Sequence, residues 1–136
     1  MRKTLIAAIA ATMLLGCGKD STGPGDNGNP NPNPQHYTIT VNGGVFTPDT
    51  LPQSGSPPVY VGDVILWTVD DSDSGQHQIT FTDVPGGVQT QPTDTLTAGL
   101  SDSTIFLKAG TYKYAEVIDQ GGGLKGSGVL IVSPLP

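Results

Sequence analysis

Cysteine is almost missing: the 136-residue chain has one, Cys17. An intramolecular disulfide is therefore excluded, and any domain here must be held by its core. Basic charge is also scarce, with six Lys and Arg against twelve Asp and Glu for a net charge of −6. Phosphate binding needs a basic surface, so the composition points away from nucleic acid. Beyond the N-terminal run there is no sustained apolar pattern of period 3.6, which excludes a substantial helix. Catalytic signatures are absent as well. The chain has no Ser-centred nucleophile elbow, no HExxH and no Cys/His pair after residue 17, and it is read as not being an enzyme.

What is present begins with a leader. "MRKTLIAAIAATMLLGC" places Arg2 and Lys3 before an apolar run from Leu5 to Leu15. That run is short for a membrane span and has the charge and small-residue flanks of a secretory signal. Leu14, Leu15, Gly16 and Cys17 resemble the bacterial lipobox, which implies cleavage before Cys17 and acylation of that cysteine. The expectation is a signal peptide over residues 1–16 and an exported protein anchored to a bacterial membrane by its lipid. Gly18 after the cysteine favours the outer membrane, facing the periplasm or the cell surface. Processing would leave four lysines against the same twelve acidic residues, a net charge of −8.

Residues 17–36 follow with "GKDSTGPGDNGNPNPNPQ" after the cysteine, a stretch with no apolar side chain larger than proline. Such a segment buries too little to offset its ordering entropy and reads as a tether. From Tyr37 to Ser133 the chain alternates instead. "HYTITV" sets Tyr37, Ile39 and Val41 on one face, and "HQITF" sets His77, Ile79 and Phe81 on one face. "VYVGDVILWTVDD" reads as two strands around Gly62-Asp63, and "STIFLKAGTYKYAEV" as two more across Ala109-Gly110. "GSGVLIVS" supplies the last. Six to eight short strands divided by Gly, Pro and Asp clusters predict one all-β domain, an antiparallel β-sandwich over residues 37–133. Its expected core is Ile39, Val41, Phe46, Val61, Ile65, Trp67, Ile79, Phe81, Phe106, Tyr112, Tyr114, Val129 and Ile131.

The order of four pieces, "FTPDTL", "VYVGDVILWTVDD", "HQITF" and "AGTYKYAEVIDQGGGLKGSGVLIV", resembles the cupredoxins, the blue-copper proteins typified by plastocyanin and pseudoazurin. "PQSGSPP" (Pro52–Pro58) interrupts the first two as an insertion. The resemblance implies a Greek-key sandwich with a copper site at one end, held by two histidines, a cysteine and a weak methionine. His77 matches the first histidine of the family's His-x-x-x-Phe. After Gly-x-Tyr-x-Tyr (Gly110–Tyr114), the cysteine position falls on Glu116, the second histidine on Asp119 and the methionine on Leu124. Blue-copper chemistry depends on a thiolate, and an oxygen ligand does not replace it.

Strand parity puts Tyr112, Tyr114 and Glu116 on one face, so Glu116 and His77 are expected to meet in a charge-assisted hydrogen bond where the family holds its metal. The leading expectation is no cofactor. The alternative is an altered site in which His77, Glu116 and Asp119 take copper or zinc, or an electron-transfer protein of the blue-copper family. "DDSDSG" (Asp70–Gly75) imitates part of a calcium loop but lacks the later glutamate, since residue 82 is Thr82, and it reads as a turn. The functional expectation is a tethered binding, structural or accessory module. Its partners would be the membrane, through the lipid, and a protein at the loop end of the sandwich.

Overall fold

The alternation in "HYTITV" becomes the first strand, β1 (His36–Asn42), which buries Ile39 and Val41 and leaves Thr38 and Asn42 exposed. The computed structural model describes residues 29–117 and 123–136, and these hold no helix. Eight further strands follow: β2 (Val45–Thr47), β3 (Thr50–Leu51), β4 (Val59–Tyr60), β5 (Val64–Val69), β6 (Gln78–Asp83), β7 (Ser101–Ile105), β8 (Gly110–Val117) and β9 (Leu124–Ser133). One sheet has the order β2-β1-β5-β7. The other has the order β3-β9-β8-β6, with β4 also pairing β9.

The sheets are mixed rather than purely antiparallel. β1 runs parallel to β5 from His36↔Val64 to Val41↔Val69, and β3 and β4 both run parallel to β9. Parallel neighbours need a long crossover, and the chain between β1 and β5 supplies it by visiting the second sheet as β3 and β4. The Pro52–Pro58 insertion lies in that crossover, between β3 and β4.

The inner faces meet in a run of aromatic rings. Phe46 packs edge-to-face on Tyr114 at 5.0 Å, Tyr114 on Trp67 at 5.0 Å, and Trp67 on Phe81 at 6.0 Å. Phe106 closes the run against Phe81 and Tyr112. Trp67 is fully buried, and its indole N–H donates to Thr104 Oγ1 at 2.9 Å across the β5–β7 pair. A buried indole left without that acceptor would lose the hydrogen bond it had in water.

Two expectations about the core need correction. On β9 the buried residues are Leu130 and Val132, while Val129 is only half-buried and Ile131 is 45% exposed. The run "VLIV" is apolar at both parities, so its pattern cannot choose a face. The choice is made by pairing with β8, where inward Tyr112 stands opposite Leu130 and inward Tyr114 opposite Gly128. Gly128 has to be glycine, because a Cβ there would enter the Tyr114 ring.

The polar segment before β1 also does more than tether. Asp63, buried in the turn before β5, accepts from Gln35 N–H at 2.8 Å, Asn31 Nδ2 at 2.8 Å and Tyr60 N–H at 2.7 Å. Asn29 Nδ2 donates to the Gly62 carbonyl. Residues 29–35 are thus bound to the domain through side-chain amides and a buried carboxylate, interactions that leave no mark in hydrophobic periodicity.

Replacing Trp67 by Ala should cost about 3–5 kcal/mol of unfolding free energy, the range for deleting a large core aromatic. Urea denaturation followed by circular dichroism measures it. A loss below about 1 kcal/mol, the level of an ordinary surface substitution, would show that the aromatic run does not carry the core.

Candidate functional site

The site sits where β6 begins and β8 ends. Ile79 on β6 stands opposite Glu116 on β8, so His77, two residues back on the same face, is Glu116's diagonal neighbour. His77 pairs with Leu96 as an isolated bridge, with backbone bonds of 2.8 Å in both directions. This fixes the histidine although it lies just outside the regular strand. The expected contact is present: His77 Nδ1 and Glu116 Oε1 are 2.6 Å apart, with the imidazole N–H donating to the carboxylate. His77 is 4% exposed and Glu116 6% exposed. Charged hydrogen bonds of this length are among the stronger ones, and out of water each partner needs the other.

A second carboxylate, one that the sequence reading did not connect to the site, completes the arrangement. Asp73 Oδ2 lies 3.1 Å from His77 Nε2, four residues earlier in the chain. The contact is at ion-pair distance but not aligned as a hydrogen bond. The same carboxylate accepts from Gly43 N–H at 2.6 Å and from Gly75 N–H at 2.8 Å. These backbone donors, Gly75 first and then Gly43, hold its carboxyl below the usual carboxylate range, and His77 adds to the effect. Both oxygens of Asp73 thereby accept backbone N–H bonds. Asp70 accepts from the Ser72 hydroxyl and then from Ser72 N–H, which lowers its carboxyl too. "DDSDSG" is therefore a hydrogen-bonded turn that carries Asp73 to the imidazole. The Asp-x-Gly step and the four-residue spacing to His77 were the available signals.

Of the other expected site residues, Leu124 opens β9 and is 53% exposed, a surface side chain rather than a core one. Asp119 and Cys17 lie outside the described residues. His36 is exposed at the start of β1. Among the described residues no group of three or more His, Cys, Asp and Glu side chains is placed to hold a metal ion.

No protein-family model matches the chain, and no curated protein matches it. The copper-containing nitrite reductase of Thermus scotoductus SA-01 superposes with a TM-score of 0.55 at 23% identity, over 78% of this chain and 23% of that one. A pseudoazurin from Sinorhizobium meliloti superposes with a TM-score of 0.52 at 17% identity, over 73% of this chain and 74% of that one. The fold is that of the cupredoxins. This chain spans less than a quarter of the nitrite reductase's length, so the likeness reaches one domain of that enzyme and not its activity.

A cupredoxin implies a type 1 copper ion, and the described residues do not fit one. On the correspondence that the sequence resemblance implies, Glu116 stands at the thiolate position, and its Oε1 is already bound to the imidazole that would be the metal's first ligand. The chain's single cysteine is at position 17, far from the end of β8 in sequence.

Two outcomes follow. Glu116→Ala should cost about 3–5 kcal/mol by stranding a buried imidazole, whereas the pair His77→Leu with Glu116→Leu should recover most of that. Equal, additive losses in a denaturation cycle would mean that the two side chains do not interact. The second concerns acid. Because the folded-state carboxyl of Asp73 titrates lower than in the unfolded chain, its contribution is complete above about pH 4 and is lost as pH falls through the lower native value. The stability gap between wild type and Asp73→Asn should therefore narrow in acid, and a gap constant from pH 7 to pH 2 would contradict the assignment.

Proposed function

We propose that this chain is an exported, lipid-anchored binding module that keeps a cupredoxin scaffold without type 1 copper. The observation that carries the reading is the buried His77–Glu116 hydrogen bond. It puts a carboxylate in the thiolate position and uses it to neutralise the one ligand residue that remains. An electron carrier needs a soft ligand tuned by its surroundings; a recognition module needs only a rigid frame with loops at one end. The chemistry of the leader supports acylation at Cys17 and attachment to the outer membrane through the tether. Partner docking is assigned to the loop end, around the β1–β2 turn, the Asp70–Gly75 turn and the loop after β8. In this reading the domain is not catalytic.

One observation favours a second reading, an altered metal site. Glu116 Oε2 is buried with no hydrogen-bond partner among the described residues, and a free carboxylate oxygen beside an imidazole suits zinc or Cu²⁺. Asp119 would be the third ligand of that set.

Titrating the protein with Cu²⁺ separates the two. The leading reading predicts no intense visible charge-transfer band and no saturable binding. Colourless, saturable binding abolished by His77→Ala would support the altered site instead, and an intense blue band would overturn both. Recovery of a protein from solubilised membranes that is lost on altering the loop end supports docking there.

A further inference from the structure

Asparagine occurs five times, at positions 27, 29, 31, 33 and 42. Asn29, Asn31 and Asn33 each precede a proline, whose nitrogen has no proton to lose. Asn27 and Asn42 each precede a glycine, and Asn27 lies outside the described residues. Asn42 is exposed at the end of β1, and Gly43 and Gly44 form the two-residue turn to β2 with φ of 54° and 87°. A turn of this kind takes two left-handed residues, so the hairpin itself selects an asparagine followed by glycine. Nothing stands within 4 Å of where a Gly43 Cβ would be, so the Gly43 nitrogen is unshielded on that side.

Two bonds hold this pair, and both come from the Asp70–Gly75 turn. Gly43 N–H donates to Asp73 Oδ2 at 2.6 Å, and Asn42 Nδ2 donates to Ser72 Oγ at 3.4 Å. The first engages the proton that a nucleophilic nitrogen must lose, and it sets a carboxylate against the negative charge that the loss creates. The second holds the carboxamide, while pairing of Asn42 with Val45 holds the backbone. Side chain and main chain are thereby kept from turning toward each other.

We propose that Asn42–Gly43 is a deamidation site latched by Asp73, and that its conversion unfastens the His77 end of the sandwich. In the reaction the Gly43 nitrogen bonds to Asn42 Cγ, its proton passes through solvent to the departing amine, and the Cγ–Nδ2 bond breaks to release ammonia. Water then opens the cyclic imide at either carbonyl and leaves an aspartyl or an isoaspartyl residue at position 42. The chain and water are the only reactants. Both products put a new carboxylate where an amide had donated to Ser72, on the turn that already carries Asp70 and Asp73. The isoaspartyl product also adds a main-chain methylene ahead of Gly43, in a turn with no spare residue, and so displaces Gly43 N–H from Asp73. The polar link from His77 through Asp73 to the β1–β2 turn is then lost.

Peptide mass mapping of the full chain, stored at mildly alkaline pH, reads amide loss at each asparagine separately. Asn42 should convert at least about tenfold more slowly in the folded chain than in urea, the factor that a hydrogen bond to a charged group is worth. Asp73→Ala should restore about that factor at Asn42 and leave Asn27 unchanged. By NMR, the Gly43 amide should exchange slowly with solvent in the parent and freely in the isoaspartyl form isolated by ion exchange. Should Asp73→Ala fail to fold, the urea comparison and the Gly43 exchange decide the matter. Equal rates at Asn42 in the folded chain and in urea would overturn the proposal. So would a rate unmoved by Asp73→Ala in a chain that keeps its native circular dichroism, or a Gly43 amide that exchanges alike before and after conversion.

Discussion

A carboxylate and an imidazole removed from water at one end of a sandwich must neutralise each other. In this chain that requirement adds a polar link between strands that also meet through backbone pairing and aromatic packing. Glu116 on β8 bonds to His77 ahead of β6, and His77 lies against Asp73 in the preceding turn. Asp73 in turn holds Gly43, at the turn between β1 and β2 in the other sheet. The polar chain thus crosses from one sheet to the other at the end where the loops converge. Below it, the aromatic run from Phe46 to Phe106 joins the same two sheets by packing. One connection is specific and demands particular partners; the other is broad and supplies most of the burial.

This division explains how the scaffold tolerates a changed ligand set. In the proposed reading, a frame held by Trp67, Tyr114 and their neighbours lets the ligand positions change provided that whatever replaces them is internally satisfied. Glu116 meets that condition for one of its oxygens through His77. The other oxygen is buried without a partner among the described residues, which makes this end the least fully satisfied part of the core.

Much of this was legible because it rests on local pattern. Alternation in "HYTITV" and "HQITF" gave the inward faces, and the same parity brought Glu116 to His77. What sequence could not supply was decided by pairing between distant segments. The face of β9 follows from the Tyr112–Leu130 register, invisible in an all-apolar run. The parallel β1–β5 pairing depends on where the crossover travels. The anchoring of Asn31 and Gln35 by Asp63 depends on a carboxylate 28 residues downstream of Gln35. Asp73 was read as a turn residue, correctly, but its second partner came from Gly43 and its third from His77.

A carboxylate occupies the His77 ring at Nδ1, and nitrogen-15 NMR of the imidazole reads that atom directly. The expected spectrum has a protonated Nδ1 whose proton resonates far downfield and exchanges slowly with water, and Glu116→Gln abolishes that signal. A His77 with an unprotonated Nδ1, or a ring spectrum unchanged by Glu116→Gln, would contradict the proposal that Glu116 occupies the imidazole in place of a metal.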